Sequence, residues 1–343
     1  MVVGLRTPLC DALRIEVPIL SAGMGSVAGP ELVAAVSEAG GFGVLGVSGA
    51  SPERVQERIE STRELTRRPF GVNVIIDEVG WAASEEDRQL VRAEVETAIR
   101  ARVAAVVLFW GDPAPYVELA HENGVRVLMQ VGSVAEAEVA AAAGVDAVIA
   151  QGVEAGGHVR GTSSIWDLLP AVITAVAPVP VLASGGIGDS SGVARALALG
   201  AQGVSLGTRF VASEESRAHP EYKRRIVESA AKDTVYTEDL YDISWPGAPT
   251  RTLRNRTFEE WDAAGRPPSG QRPGEGTAVG VMRPASGQTL EFPRYAGAGS
   301  PLIDFEGDLD YPAMWAGESV EVVKDVLPAG EIVRRLAATR DPV

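Results

Sequence analysis

The sequence predicts an α/β protein, a (β/α)8 TIM barrel with a C-terminal elaboration. Three observations predict it. Eight short apolar runs succeed one another between residues 18 and 211. Stretches rich in Ala, Glu and Arg, with helix start and stop signals, lie between them. The length of 343 residues suits eight such units with chain to spare.

The expected strands, in order, are PILSAGM (18–24), FGVLGV (42–47), FGVNVII (70–76) and AAVVLFWG (104–111). RVLMQVGS (126–133), AVIAQGVE (147–154), PVLASGGI (180–187) and GVSLGTRFV (203–211) complete the set. They are continuously apolar rather than alternating, as strands buried on both faces are. The helix PELVAAVSEAG opens with Pro30 and stops at Gly40. SVAEAEVAAAAG opens with Ser133, carries Glu136 three residues on as in a capping box, and stops at Gly144. SSGVARALALG ends at Gly200. Strand–helix alternation implies parallel pairing with right-handed crossovers.

After residue 231 the pattern changes. Residues 233–317 are rich in Gly, Pro, Arg and Trp, a stretch long enough to be either a cover or an insertion with small elements of its own. Residues 318–339 read as one or two helices punctuated at Pro328. The expected organisation is a barrel over 1–232. Residues 233–343 would then be an irregular insertion and C-terminal helices packing on it, in the same domain or a small subdomain.

Composition excludes several functions. With 31 Lys and Arg against 46 Asp and Glu, the net charge is −15, which disfavours nucleic acid and anionic membranes. The one cysteine, Cys10, and three histidines leave neither a disulfide framework nor a metal site. Arg6, Asp11, Arg14 and Glu16 interrupt any signal-like segment. The apolar run at 103–110 falls far short of the ~18 residues that span a membrane. A cytoplasmic protein is expected.

In such a barrel, chemistry sits at the C-terminal ends of the strands. Those ends present Ala22, Gly23 and Met24, then Asn73, Gln130, the loop after Glu154, Ser184-Gly185-Gly186, and Gly207-Thr208. The last two groups are glycine-rich and follow strands seven and eight, where barrels often hold a phosphate. QGVEAGGHVRG (151–161) places His158, preceded by Gly157, at the chemical face. His121 falls on an outer helix and His219 at an outer helix start. Imidazole exchanges protons near neutral pH. Glu154 is either its partner or a cap for the loop.

Other patterns fall away. GFGVLG (41–46) matches G-x-G-x-x-G but lies within a strand, so it fails the dinucleotide context. No Walker lysine and no G-x-S-x-G elbow occur, and Ser21 and Ser184 lack a spare histidine. Carboxylates are scarce at the strand ends. Trp245, Trp261 and Trp315 either cover a flat ring system or anchor the irregular segment. TRTLRNR (250–256) reads as a salt-bridged surface strip before an anion site.

PILSAGMGSVAGPELVAAVSEAGGFGVLG, GVNVI, QGVEAGGHVRG, and VPVLASGGIGD with GVSLGTRF resemble the nitronate monooxygenase (2-nitropropane dioxygenase) family. The resemblance covers residues 15–230 and resumes weakly in LRNR and PAMWAGESV. The wider family includes flavin-dependent enoyl-ACP reductases, and EAGGH occurs in both. The resemblance implies FMN held by the barrel. Ala22, Gly23 and Met24 would pack on the flavin, and Asn73 and Gln130 would hydrogen-bond its rings. Ser184, Gly185, Gly186, Gly207 and Thr208 would take the phosphate. Gly157 would lie alongside, and His158 would be catalytic. Some members carry a basic residue where Gln130 aligns. The last glycine of GGHVRG is displaced by one residue, which would turn Arg160 into the pocket toward a carboxylate-bearing substrate.

The implied reaction is oxidation of alkyl nitronates, or nitroalkanes, by O2 to carbonyl compounds and nitrite, with no metal and with a homodimer left open. The alternatives are an NAD(P)H-dependent enoyl-thioester reductase and, more distantly, a flavin-binding barrel without turnover.

Overall fold

The structure is a computed structural model that describes residues 5–77, 80, 82, 84–243, 245–283, 289–297 and 299–338. Eight parallel strands form its centre: β1 (Ile19–Ser21), β2 (Gly43–Gly46), β3 (Phe70–Ile75), β4 (Ala105–Phe109), β5 (Arg126–Val131), β6 (Ala147–Gln151), β7 (Val181–Ser184) and β8 (Gly203–Leu206). Neighbours pair in parallel in chain order, and β1 pairs with β8. A bridge from Leu20 to Phe42 closes the ring.

Most strands stop short of their expected C-terminal ends. Ala22–Met24, Gly132–Ser133 and Gly185–Ile187 leave the sheet, and Thr208–Val211, expected as strand, is a helical turn. Apolar residues at these positions line a cavity instead of a sheet, a distinction that hydrophobicity alone does not carry.

Helix starts follow the sequence signals. Pro30–Glu38 begins on its proline. Ser133 accepts a hydrogen bond from the Glu136 amide at 3.2 Å. Only that half of the expected capping box forms, because the Glu136 carboxylate takes the Gly132 amide at 2.8 Å. Asp189 caps Ser190–Ala198.

The core has two layers. Outward-facing strand residues such as Val72, Val106 and Val148 pack against the helices. Inward-facing Leu20, Val44, Val107, Leu128, Ile149 and Leu182 fill the barrel, plugged from below by Leu9, Cys10 and Leu13 of the helix Pro8–Leu13. The helix Ala329–Ala337, which follows Pro328, packs between Pro30–Glu38 and Ser190–Ala198. It fills the eighth outer place, which the short turn after β8 leaves open. The intervening chain carries β9 (Thr234–Thr237) and β10 (Thr250–Leu253), the helix Arg256–Ala263, and a small antiparallel sheet of β11 (Ala278–Met282), β12 (Leu290–Pro293) and β13 (Phe305–Gly307).

One outer helix buries an acid. Glu94, on Glu85–Arg100, is fully buried, and neither carboxyl oxygen has a hydrogen-bond partner among the described residues. Burial pushes it up to about 8, and the Gly49 and Ala50 amides, near it but not within hydrogen-bond geometry, offset this only in part. The unfolded chain ionises this group at its ordinary value of 4.5 while the folded chain holds it neutral. Its contribution is therefore fully present below about pH 4.5 and lost as pH rises toward about 8. Glu94→Gln should melt close to the parent at pH 5 and above it at pH 8, by a margin that grows between the two. A melting difference constant across that range would contradict this.

Candidate active site

A cavity of about 390 Å³ opens at the C-terminal ends of the strands. Ala22, Gly23, Met24, Asn73, Gln130, Gly157, His158, Ser184, Gly185, Gly186, Gly207 and Thr208 all line it. The barrel thus gathers into one wall residues spread over most of its strands.

Local geometry shows why small residues stand there. A Cβ on Gly23 would overlap the Asn73 side chain, so Gly23 is what lets Asn73 stand upright beside β1. Asn73 Nδ2 donates to Val107 O at 2.9 Å, leaving Oδ1 beside Gly23 to accept. The Gln130 amide has no hydrogen bond among the described residues. Gly185 and Gly186 both take left-handed φ, +101° and +69°, which other residues adopt at a cost. Successive backbone N–H groups in such a turn form an anion-binding concavity. Across from it, Thr208 Oγ1 accepts from Gly317 N at 3.0 Å, and its own hydroxyl proton remains to donate.

His158 is pinned through its backbone. Gly157–His158 forms a two-residue strand paired with Arg251 and Thr250 of β10. Gln151 Nε2 donates to His158 O at 2.9 Å, and Gln151 Oε1 accepts from Arg160 N at 3.0 Å. The ring lies 4.1 Å from Trp245 and 5.4 Å from Trp315, tilted by 35° and 36°. Nε2 is buried and without a hydrogen-bond partner among the described residues. Burial lowers the imidazole pKa to about 3, so the ring is neutral at working pH.

Glu154 is a cap, not a partner of His158: its carboxylate accepts from Ser164 Oγ at 2.5 Å and Ile165 N at 3.0 Å. Trp245 and Trp315 roof the cavity, and Trp245 Nε1 donates to Asp77 Oδ2 at 2.7 Å. Trp261 packs on Phe258 instead. Arg251 bonds Val153 O and pairs with Glu318, and Arg256 pairs with Asp308 and Asp310, so TRTLRNR is salt-bridged as expected, but Thr250–Leu253 is a buried strand and not a surface strip.

Arg160 departs from expectation. It is exposed, pairs with Glu136 at 2.5 Å and lies over Trp110. Glu136 Oε1 accepts from Arg160 Nε while Oε2 accepts from the Gly132 amide.

Sequence reasoning missed Gln151, although it ends β6 and obeys the same strand-end rule. It also missed Tyr222, Phe292 and Ser300, which line the cavity from the later chain. Nothing local signals these, because they arrive by non-local packing. Among the described residues no acidic, histidine or cysteine cluster could hold a metal, and no helix is long and apolar enough to cross a membrane.

The model of the family described as "Nitronate monooxygenase" matches residues 6–339. A nitronate monooxygenase of Pseudomonas aeruginosa is 32% identical, over 94% of this chain and 96% of that protein. A (3aS,4S,5R,7aS)-5-hydroxy-7a-methyl-1-oxo-octahydro-1H-indene-4-carboxyl-CoA dehydrogenase of Mycobacterium tuberculosis is 36% identical, over 76% of this chain and 70% of its own length. The solved structure of FabK from Thermotoga maritima superposes with a TM-score of 0.76 at 32% identity, covering 97% of this chain and 95% of that one.

Proposed function

This chain belongs to the nitronate monooxygenase family of flavin-dependent oxidoreductases, and we propose that it uses FMN to oxidise alkyl nitronates with O2 to carbonyl compounds and nitrite. The observation that carries this reading is the cavity itself. A neutral imidazole with an unpartnered Nε2 and a double-glycine turn line the same cavity. Those features fit a flat redox ring that ends in a single phosphate.

Ser184, Gly185 and Gly186 would hold the phosphate from one side, with Gly207 and Thr208 on the other. Met24 and Gly23 would support the ring face. Asn73 Oδ1 would accept from a ring N–H, and the Gln130 amide would meet a ring carbonyl or nitrogen. Bound flavin would supply the one-electron chemistry that no side chain here provides.

His158 would orient the substrate. A neutral imidazole can donate one hydrogen bond to a nitronate oxygen. With its pKa near 3 it is a poor base for a carbon acid. That favours the nitronate, already deprotonated, over the neutral nitroalkane. Trp245 and Trp315 would exclude water from that contact.

The test is an oxygen-free titration of the purified flavoprotein with propionate 3-nitronate. The expected outcome is loss of the oxidised flavin bands, with nitrite formed once air is admitted. Unmoved bands would refute the reading. The likeness to a carboxyl-CoA dehydrogenase supports a second one, an enoyl-thioester reductase. In that case NADPH, not nitronate, would bleach the flavin, and crotonyl-CoA would restore it.

A further inference from the structure

A second pocket, of about 210 Å³, lies on the barrel rim. Arg54, Arg58 and Arg217 line it with Glu31, Glu57 and Ser61. The helices Pro30–Glu38 and Pro52–Leu65 follow β1 and β2, so their first turns stand at the same end of the barrel as the active site. The loop after β1 runs from Val27, which lines the main cavity, to Pro30, which lines this one. Arg217 N donates to Val27 O at 3.1 Å.

Three arginines face Glu31 and Glu57 in the lining, which leaves one positive charge in excess there. Arg54 pairs with Glu57 at 2.5 Å, but both are mostly exposed. The carboxylate paired with Arg217, Asp304, is 3.9 Å away. Arg58 has no ion pair and no side-chain hydrogen bond among the described residues. Its Nη2 is buried and unpartnered. Burial and the nearby Arg217 and Arg54 together depress this guanidinium to about 10, and Glu31 only partly offsets them. A desolvated guanidinium facing two more of its kind is costly unless an anion joins it. The contrast is sharper in a chain of net charge −15.

We propose that this rim pocket binds a phosphoryl group, anchored by Arg58 and closed from the solvent side by Arg217 and Arg54. Arg54 and Arg217 already have Glu57 and Asp304 as partners, so the charge left to be met is that of Arg58. A phosphoryl dianion offers more oxygens and more charge than a carboxylate, and guanidinium forks match its geometry. The group is either free phosphate or the phosphate of a nucleotide-bearing substrate or co-substrate whose reactive end enters the neighbouring cavity.

Isothermal titration of the flavin-loaded enzyme tests this, because bound flavin fills the other phosphate cradle. The probes are inorganic phosphate and adenosine 3′,5′-bisphosphate, with sodium chloride at matched ionic strength as the control. Saturable binding is expected in the parent, weakened about tenfold or more by Arg58→Met and by Arg217→Ala. Without ligand, Arg58→Met should melt at or above the parent, since it replaces an uncompensated cation with an apolar chain of similar length. Tighter binding of the bisphosphate assigns the pocket to a nucleotide-borne phosphate, and equal binding assigns it to the free ion. No saturable binding of either probe, or binding indifferent to both substitutions, overturns the proposal. If Arg58→Met does not fold, Arg217→Ala on the rim decides alone.

Discussion

His158→Ala is expected to lower kcat/KM for propionate 3-nitronate by about 10²–10³-fold while flavin remains bound. The imidazole belongs to the roofed wall of the cavity, not to the glycine turn, so cofactor retention should not depend on it. Trp245 keeps its bond to Asp77 at 2.7 Å, which holds the roof after the ring is removed. The loss should be similar for nitronate and for its parent nitroalkane. A ring with pKa near 3 contributes a hydrogen bond to both and proton abstraction to neither. For the same reason the parent profile should show no histidine ionisation between about pH 5 and pH 9. Undiminished nitronate turnover, or a loss confined to the nitroalkane, would remove His158 from the proposed role.

Gly317→Ala is expected to strip flavin from the protein and to lower its melting temperature by about 1–4 °C. A Cβ there would overlap Glu154 O and come within 2.7 Å of Gly156 N. Both are backbone atoms, so no side chain can rotate away. Glu318 N also donates to Glu154 O at 2.9 Å, and Gly317 N to Thr208 Oγ1 at 3.0 Å. The roof segment would have to lift from the histidine loop and from Thr208 together. Gly265→Ala is the control. Its φ is left-handed, +83°, where that of Gly317 is −90°, so it carries backbone strain of its own, but nothing lies within 4 Å of the added carbon. Equal flavin content in the two variants would show that the crossing at Gly317 does not govern the cavity.

The barrel was legible because each strand–helix unit declares itself locally. Pro30, Ser133 and Asp189 start helices where the capping chemistry says they should. The floor of the site was legible for the same reason: a strand end is a position in a pattern. The roof was not. Thr250 beside His158, Trp245 on Asp77 and Tyr222 against Trp315 are contacts between distant segments, and no periodicity encodes them. Arg160 shows the limit of residue counting within a motif. A shift of one glycine suggested a turn into the pocket, but the side chain pairs with Glu136 instead.

The eighth outer helix, Ala329–Ala337, comes from the far end of the chain, long after β8 ends at Leu206. During synthesis, residues 207–328 must leave the ribosome before it does, roughly 6–25 s at ordinary elongation rates. Until then the seam where β1 meets β8 exposes apolar side chains that Ile332, Val333 and Leu336 later cover. The nascent protein therefore passes through a stage with every strand made and one flank bare. Yield in cells should depend on chaperone supply during that interval, and a stop codon just ahead of Ala329 should give aggregates rather than a smaller enzyme.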